Sequence, residues 1–80
     1  MNRTPASSAP LGAPHTLTSV GGDDRSRQRL AELGLRPGAN VTVLRRTAGQ
    51  GRILAVAGSR VAVDAATANT LMLHIEKDQA

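Results

Sequence analysis

The sequence predicts a small, mainly β domain of about five short strands and one helix, with the strands closed into a barrel. Apolar residues alternate with polar ones over short stretches rich in Val, which is typical of half-buried strands. Gly and Pro separate these stretches, as tight turns require. One segment carries leucines at helical spacing instead. A barrel is favoured over an open sheet because closure removes exposed strand edges.

The N-terminal segment is rich in Ala, Ser and Pro and has no hydrophobic period. This composition predicts a disordered tail over residues 1–15. The domain is then expected over residues 16–76, and residues 77–80 are expected to fray. Residues 16–20 form the first predicted strand, and Gly21 and the glycine after it end that strand.

A helix is predicted to run to Leu33 and to begin at Asp23 or Asp24, either of which can cap its N-terminus. Leu30 and Leu33 are three residues apart and are expected to face the core. Arg29 and Glu32 are expected on the wet side, where they can form a weak ion pair.

The residues after the helix predict a sharp corner. Gly34 can end the helix in the left-handed conformation, and Leu30 and Leu35 then make the apolar contact of a Schellman motif. Pro37 and Gly38 occupy the second and third positions of a predicted type II turn. This punctuation favours a structural role for the corner over a direct binding role.

The second half of the chain reads as strands and turns. Val41 and Val43 share one face of the strand that follows the corner. Gly58 and Ser59 are predicted as a two-residue hairpin turn, and Asp64 as the cap of a single helical turn. The predicted strands after the helix are 40–46, 52–57, 60–63 and 71–75.

Composition excludes several classes of protein. The 80 residues contain no Cys, Phe, Trp or Tyr, so the core must be aliphatic and no disulfide or thiolate metal site can form. No stretch approaches the roughly 20 apolar residues of a membrane span, and residues 1–16 lack the apolar region of a signal peptide. A cytoplasmic protein without direct membrane insertion is therefore expected.

Catalytic and metal-binding groups are scarce. The two histidines are His15, in the predicted tail, and His74, on the last strand, and no Ser has a base at motif distance. His74 with Glu76 is the one metal candidate, and a solvent-facing histidine is the simpler interpretation. We therefore predict no enzyme activity and no cofactor.

The positive charge offers a candidate contact surface. The net charge is +4, which permits an acidic protein, a nucleic acid or a membrane surface as partner. The ordinary interpretation of these side chains is a solvated face. The candidate partner-binding residues are Arg25, Arg29, Arg36, Arg45 and Arg46.

The segment Leu-Ala-Glu-Leu-Gly-Leu-Arg-Pro-Gly-Ala-Asn-Val-Thr-Val, residues 30–43, resembles the signature of the ferrous iron transport protein A (FeoA) family. Members of that family have a basic helix that ends in Leu-Gly-Leu, then Pro-Gly, then a strand with alternating valines. The resemblance covers residues 16–76 and continues through Gly58 to the apolar strand that ends at Ile75. Residues 47–51 depart from the Pro-Leu-Gly-like loop of the family. The matching fold positions are Leu30, Leu33, Gly34, Leu35, Pro37, Gly38, Val41 and Val43.

The resemblance implies a small SH3-like β-barrel with a helical insertion. It implies a non-enzymatic cytosolic accessory of ferrous iron uptake that docks on the cytosolic part of a membrane transporter with a GTP-binding domain. No catalytic, cofactor or metal residue is implied, because no motif position is a ligand type.

Two alternative functions stay open. One is a small basic nucleic-acid-binding barrel, which the absence of aromatic side chains disfavours. The other is a metal-sensing module like the C-terminal module of iron-dependent repressors, which the chain also resembles. A monomer is expected, and a weak dimer through an open edge of the last strand is the alternative.

Overall fold

The computed structural model describes residues 3–75. The strands are β1 (Arg3–Pro5), β2 (Pro14–Val20), β3 (Asn40–Arg46), β4 (Arg52–Val56), β5 (Ser59–Val63) and β6 (Leu71–His74). The helices are α1 (Asp24–Glu32) and α2 (Ala65–Thr70), and short 3-10 turns cover Ala6–Ser8 and Ala48–Gln50. The mainly β fold with one main helix is confirmed, with β1 as a strand that the sequence did not predict.

The strands form one antiparallel sheet in the order β1-β6-β2-β3-β4-β5. Arg52, in β4, donates a hydrogen bond to the Ser7 carbonyl just after β1, so opposite sides of the sheet approach each other. The same guanidinium donates to the carbonyls of Gln50 and Gly51 at 2.6 and 2.8 Å. Arg52 is buried despite its charge, because its side chain joins the N-terminal segment to the barrel.

Strand alternation builds the core. Val41 pairs with Val56 and Val43 with Leu54, and all four side chains are buried, as are the inward residues of the other long strands. Each such side chain stabilises the fold by about 1.5–3 kcal/mol relative to an exposed one. The largest fully buried side chains are Leu17, Leu35, Val41, Val43, Leu54, Leu71 and Leu73.

The prediction of a disordered tail over residues 1–15 is wrong for residues 3–15. β1 pairs with β6, and Ala6 in the following turn is fully buried. His15 lies inside β2 with 4% of its surface exposed. The sequence did not reveal this ordered segment, because its small residues and prolines show no hydrophobic periodicity. Ala6 is nevertheless buried. The predicted fraying of 77–80 lies outside the described residues.

The hairpin turn is one residue earlier than predicted. Val56 pairs with Ser59, so the two turn residues are Ala57 and Gly58, with φ of 52° and 79°. Both positive values are those of a type I′ turn, whose twist matches the flanking strands. Gly58 indicated the position of the turn. The one-residue error arose because alanine rarely adopts a left-handed backbone, so nothing in the sequence indicated that Ala57 does.

Leu33 does not face the core, contrary to prediction. The helix ends at Glu32, and Leu33 is the C-cap residue with 46% of its surface exposed. The chain reverses at Gly34 (φ +97°), and Leu35 takes the fully buried position instead. Leu30 packs against the core from a half-buried position, as predicted.

β6 is an interior strand, which overturns the idea of an open edge there. β1 pairs with one side of it and β2 with the other. The open edges of the described sheet are β1 and β5. A dimer through His74 on β6 therefore has no free strand to use.

Candidate functional site

Helix α1 is fixed at its N-terminus by a side-chain cap. The Asp23 carboxylate accepts a hydrogen bond from the Ser26 N–H at 2.8 Å. Hydrogen bonds from the backbone N–H and side chain of Ser26 lower the pKa of the Asp23 carboxyl, with a further contribution from the Arg27 charge. The charged carboxylate also suits the positive end of the helix. The cap predicted at Asp23 or Asp24 is thus provided by Asp23.

A Schellman motif fixes the C-terminus of α1. The N–H groups of Leu35 and Gly34 donate to the carbonyls of Leu30 and Ala31, each at 2.9 Å. A type II turn follows, in which the Ala39 N–H donates to the Arg36 carbonyl at 3.0 Å. The predicted corner is therefore confirmed in both its parts.

Between these two ends, α1 contributes no buried residue to the fold. Only Leu30 and Ala31 are half-buried, and the rest of the helix is exposed. An amphipathic helix normally stabilises a domain by burying one face, so this helix is positioned mainly by its ends. Most of its side chains are therefore available for contacts outside the chain.

A mostly apolar groove of about 360 Å³ runs beside α1. Val20, Ala31, Leu35 and Pro37 supply its apolar lining, and Arg27, Gln28 and Arg36 its polar lining. On the other side of Gln28, a shallow depression of about 230 Å³ is lined by Arg25, Gln28, Arg29 and Glu32. We call the groove together with Arg25, Arg29 and Arg36 the α1 surface.

The arginines near α1 differ in how they are used. Arg27 forms an ion pair with Asp24 and donates to the Gly22 carbonyl at 2.6 Å. Within residues 3–75 this is the one ion pair, so the predicted Arg29–Glu32 pair is absent. No side-chain hydrogen bond joins Arg25, Arg29 or Arg36 to another described residue, which leaves these three guanidinium groups free for a partner.

The five candidate arginines do not form one surface. Arg25, Arg29 and Arg36 lie at the α1 end of the molecule, whereas Arg45 and Arg46 end the seven-residue strand β3. At about 3.3 Å per residue, β3 separates its two ends by roughly 20 Å. Sequence order alone could not show this division, because it depends on the direction in which β3 leaves the corner.

The two histidines do not form a common metal site. His74 is half-buried on β6 and pairs with Thr16, so His15 points to the opposite face of the sheet. Neither ring nitrogen of the buried His15 has a hydrogen-bond partner among the described residues. In the same part of the chain no three His, Asp or Glu side chains lie together as metal ligands. Glu76, the suggested companion of His74, lies outside it.

No helix within residues 3–75 is long and apolar enough to cross a bilayer.

Comparison with family models matches the FeoA domain over residues 4–74. The chain belongs to the FeoA family. The match begins twelve residues before the resemblance read from the sequence, and it includes all of β1 except Arg3, together with the buried turn after it.

Solved structures agree with this family. The crystal structure of an iron uptake regulatory protein (FeoA) is 29% identical, covers 92% of this chain and 97% of its own, and has a TM-score of 0.78. The solution structure of the FeoA protein from Chlorobium tepidum is 29% identical, with coverage of 90% and 70% and a TM-score of 0.82. Comparison with curated proteins found no significant match.

A manganese-dependent transcriptional repressor shares the fold. It is 19% identical, covers 89% of this chain and 40% of its own, and has a TM-score of 0.75. At this identity the likeness concerns the fold alone. The fold therefore also occurs as one part of a longer protein, this transcriptional repressor.

Proposed function

We propose that this FeoA-family chain is a non-enzymatic accessory of ferrous iron uptake that docks on the cytosolic GTP-binding part of a membrane iron transporter. Family membership over residues 4–74 supports the context of ferrous iron uptake. The observation that carries the docking proposal is α1, a helix with no buried residue beside an apolar groove. Such a helix is better suited to contact with a partner than to holding the barrel together.

The α1 surface combines two kinds of recognition. Its free arginines can form bidentate hydrogen bonds with carboxylates, which suits an acidic protein surface. The groove beside them offers Val20, Ala31 and Pro37 to an apolar side chain of the partner. An apolar centre with a charged rim is the usual composition of a protein interface. Contact of this kind acts on the transporter by binding alone and needs no catalytic group.

Binding to the purified cytosolic GTP-binding domain of the organism's ferrous iron transporter tests the proposal. Calorimetry should detect a one-to-one complex with the wild-type chain. A triple variant with Arg25→Glu, Arg29→Glu and Arg36→Glu should bind at least about tenfold more weakly, because like charges then meet across the interface. Absence of binding by the wild-type chain would contradict the proposed function.

The matched control uses the opposite end of the barrel. Arg45→Glu with Arg46→Glu changes charge in the same direction at exposed residues, and should leave the affinity within about threefold. Equal losses in the two variants would contradict the α1 surface as the docking site. Oligonucleotide binding that falls steeply with salt and disappears in the Arg45/Arg46 variant would favour the nucleic-acid alternative.

A further inference from the structure

The edge strand β5 presents unused backbone groups. β5 pairs with β4 on one side, and no strand within residues 3–75 pairs with its other side. The Val56–Ser59 pair closes a two-residue turn and is therefore a hydrogen-bonded pair. Because such pairs alternate along an antiparallel ladder, Arg60 and Ala62 direct their N–H and C=O groups away from β4. Neither residue makes a backbone hydrogen bond outside the β4–β5 ladder in that part of the chain.

The two edges of the sheet are not equally protected. β1 has three residues and contains Pro5, which has no N–H to donate. β5 has five residues, and it contains no proline and no irregularity in its pairing with β4. Arg60 is its one charged residue, and a charge on an edge strand normally discourages pairing with another chain.

The negative charge of Asp64 lies on the same edge as the positive charge of Arg60. Asp64 follows β5 directly in an extended conformation, with φ of −79° and ψ of 175°, and is exposed. Arg60, Ala62 and Asp64 therefore alternate along one face of the same edge. The edge carries one positive and one negative side chain, four residues apart.

We propose that β5 is a self-pairing edge, on which a second copy of this chain adds its own β5 in antiparallel orientation. With Val61 opposite Val61, Arg60 of each copy lies opposite Ala62 of the other. The outward N–H and C=O groups of these residues then form two hydrogen-bonded pairs. Arg60 also lies diagonally across from Asp64 of the second copy, about 7–8 Å away between Cα atoms and within reach of its side chain.

The opposite charges on one edge are what favour a second copy as the occupant. A two-fold axis at Val61 brings each Arg60 beside Asp64 of the other copy. The repulsion between the two diagonal Arg60 side chains is then offset by the attraction in two Arg60–Asp64 pairs. The contact buries only a short strand, which is small compared with the roughly 1,200 Å² of a stable interface. Self-association is therefore weak, and it requires no residue of the α1 surface.

Hydrogen exchange and sedimentation of the full chain, from about 0.02 to about 1 mM, test the proposal. The amides of Arg60 and Ala62 should exchange at least about fivefold more slowly at the high concentration, while those of Val61 and Val63 stay unchanged. A monomer throughout this range, or protection that does not depend on concentration, would overturn the proposal.

Two variants locate the contact. Ala62→Pro removes an N–H that faces away from β4, so the barrel should keep its fold while the dimer disappears. Arg60→Glu places a negative charge diagonal to Asp64 and should weaken association about threefold or more, whereas Arg25→Glu, the same change on α1, should not. A dimer that survives Arg60→Glu unchanged would contradict the register even if Ala62→Pro failed to fold.

Discussion

Gly34 is the residue on which the corner depends most. It has φ of +97°, and a Cβ there would lie 3.3 Å from the Ala57 Cβ and 3.6 Å from a Val56 methyl group. An L-residue is strained at this φ, and the close contact adds to the strain. Gly34→Ala should therefore lower the free energy of unfolding by about 1 kcal/mol or more, measured by urea denaturation.

Gly38 provides a matched control for that prediction. It has the same φ of +97°, but a Cβ there would meet no atom within 4 Å. Gly38→Ala should thus report the backbone strain alone, and the difference between the two variants should report the contact with the hairpin. Equal losses would show that the hairpin yields freely to the added methyl group.

His15 is a buried polar residue at a position that an apolar residue could fill. Its side chain packs inside the barrel, and neither ring nitrogen has a partner within residues 3–75. A buried unsatisfied polar group costs about 1–3 kcal/mol. His15→Leu should consequently raise the free energy of unfolding by about 1 kcal/mol, with His74→Leu as a half-buried control that changes it little. A loss of stability in His15→Leu would indicate that the imidazole fills the site better than an aliphatic group.

Single residues also show how far the sequence could predict the structure. Gly34, Pro37 and Gly38 were interpretable because each supplies a backbone conformation that other residues avoid. Leu33 and Leu35 were not distinguished, because both are apolar and flank the same glycine. Which one is buried depends on where the barrel lies after the chain reverses, and that is tertiary information.

At the scale of elements, both helices begin with an aspartate cap. Asp64 accepts a hydrogen bond from the Thr67 N–H at 2.8 Å, as Asp23 does from Ser26. The side chain and backbone of Thr67 lower the pKa of the Asp64 carboxyl below its usual value of 3.8. A carboxyl with a lowered pKa in the folded state stabilises the protein above its unfolded-state pKa. That stabilisation is lost as the pH falls through the folded-state value.

The caps therefore predict a pH dependence. Stability should decline as the pH falls below about 4, and the decline should be shallower in a variant with Asp23→Asn and Asp64→Asn. Asparagine keeps the capping oxygen but does not titrate, so the variant isolates the charge from the geometry. Thermal unfolding between pH 2.5 and 7 measures both curves, and superimposable curves would contradict the role of these carboxylates.

Elements with a strong local signal were predicted well, and those without one were missed. α1, β3, the hairpin and the capped start of α2 follow from caps, glycines and valine alternation. β1 has three residues and is a strand only because β6 is beside it. No periodicity can reveal a strand that short, since its pairing partner lies about 70 residues away in the chain.

For the whole molecule, the arrangement of a barrel with a peripheral helix predicts uneven stability. The strands bury the core, whereas α1 buries none of its residues. Amide exchange should therefore be slowest at interior strand positions such as Val41, Val43 and Leu73. It should be markedly faster in α1, through openings that leave the barrel intact. Equal protection of α1 and β3, measured by hydrogen exchange, would mean that the helix opens only when the barrel unfolds.

The candidate site was predictable only in part at this scale. The sequence supplied the arginines as candidates, but it could not show that the barrel places Arg36 at one end and Arg46 at the other. The groove was also beyond its reach, because Val20 and Pro37 are far apart in the chain and meet only through the fold.

The small contribution of α1 to the core has a consequence for how this molecule can change over evolutionary time. Substitutions at its outward positions, such as Arg25 or Gln28, alter what the helix presents and should change stability by less than about 0.5 kcal/mol. The exposed positions of α1 can therefore change what the helix recognises with little effect on folding. Substitutions confined to α1 can thus change the partner while the barrel stays the same. A new binding specificity could be engineered by substitutions at the same positions.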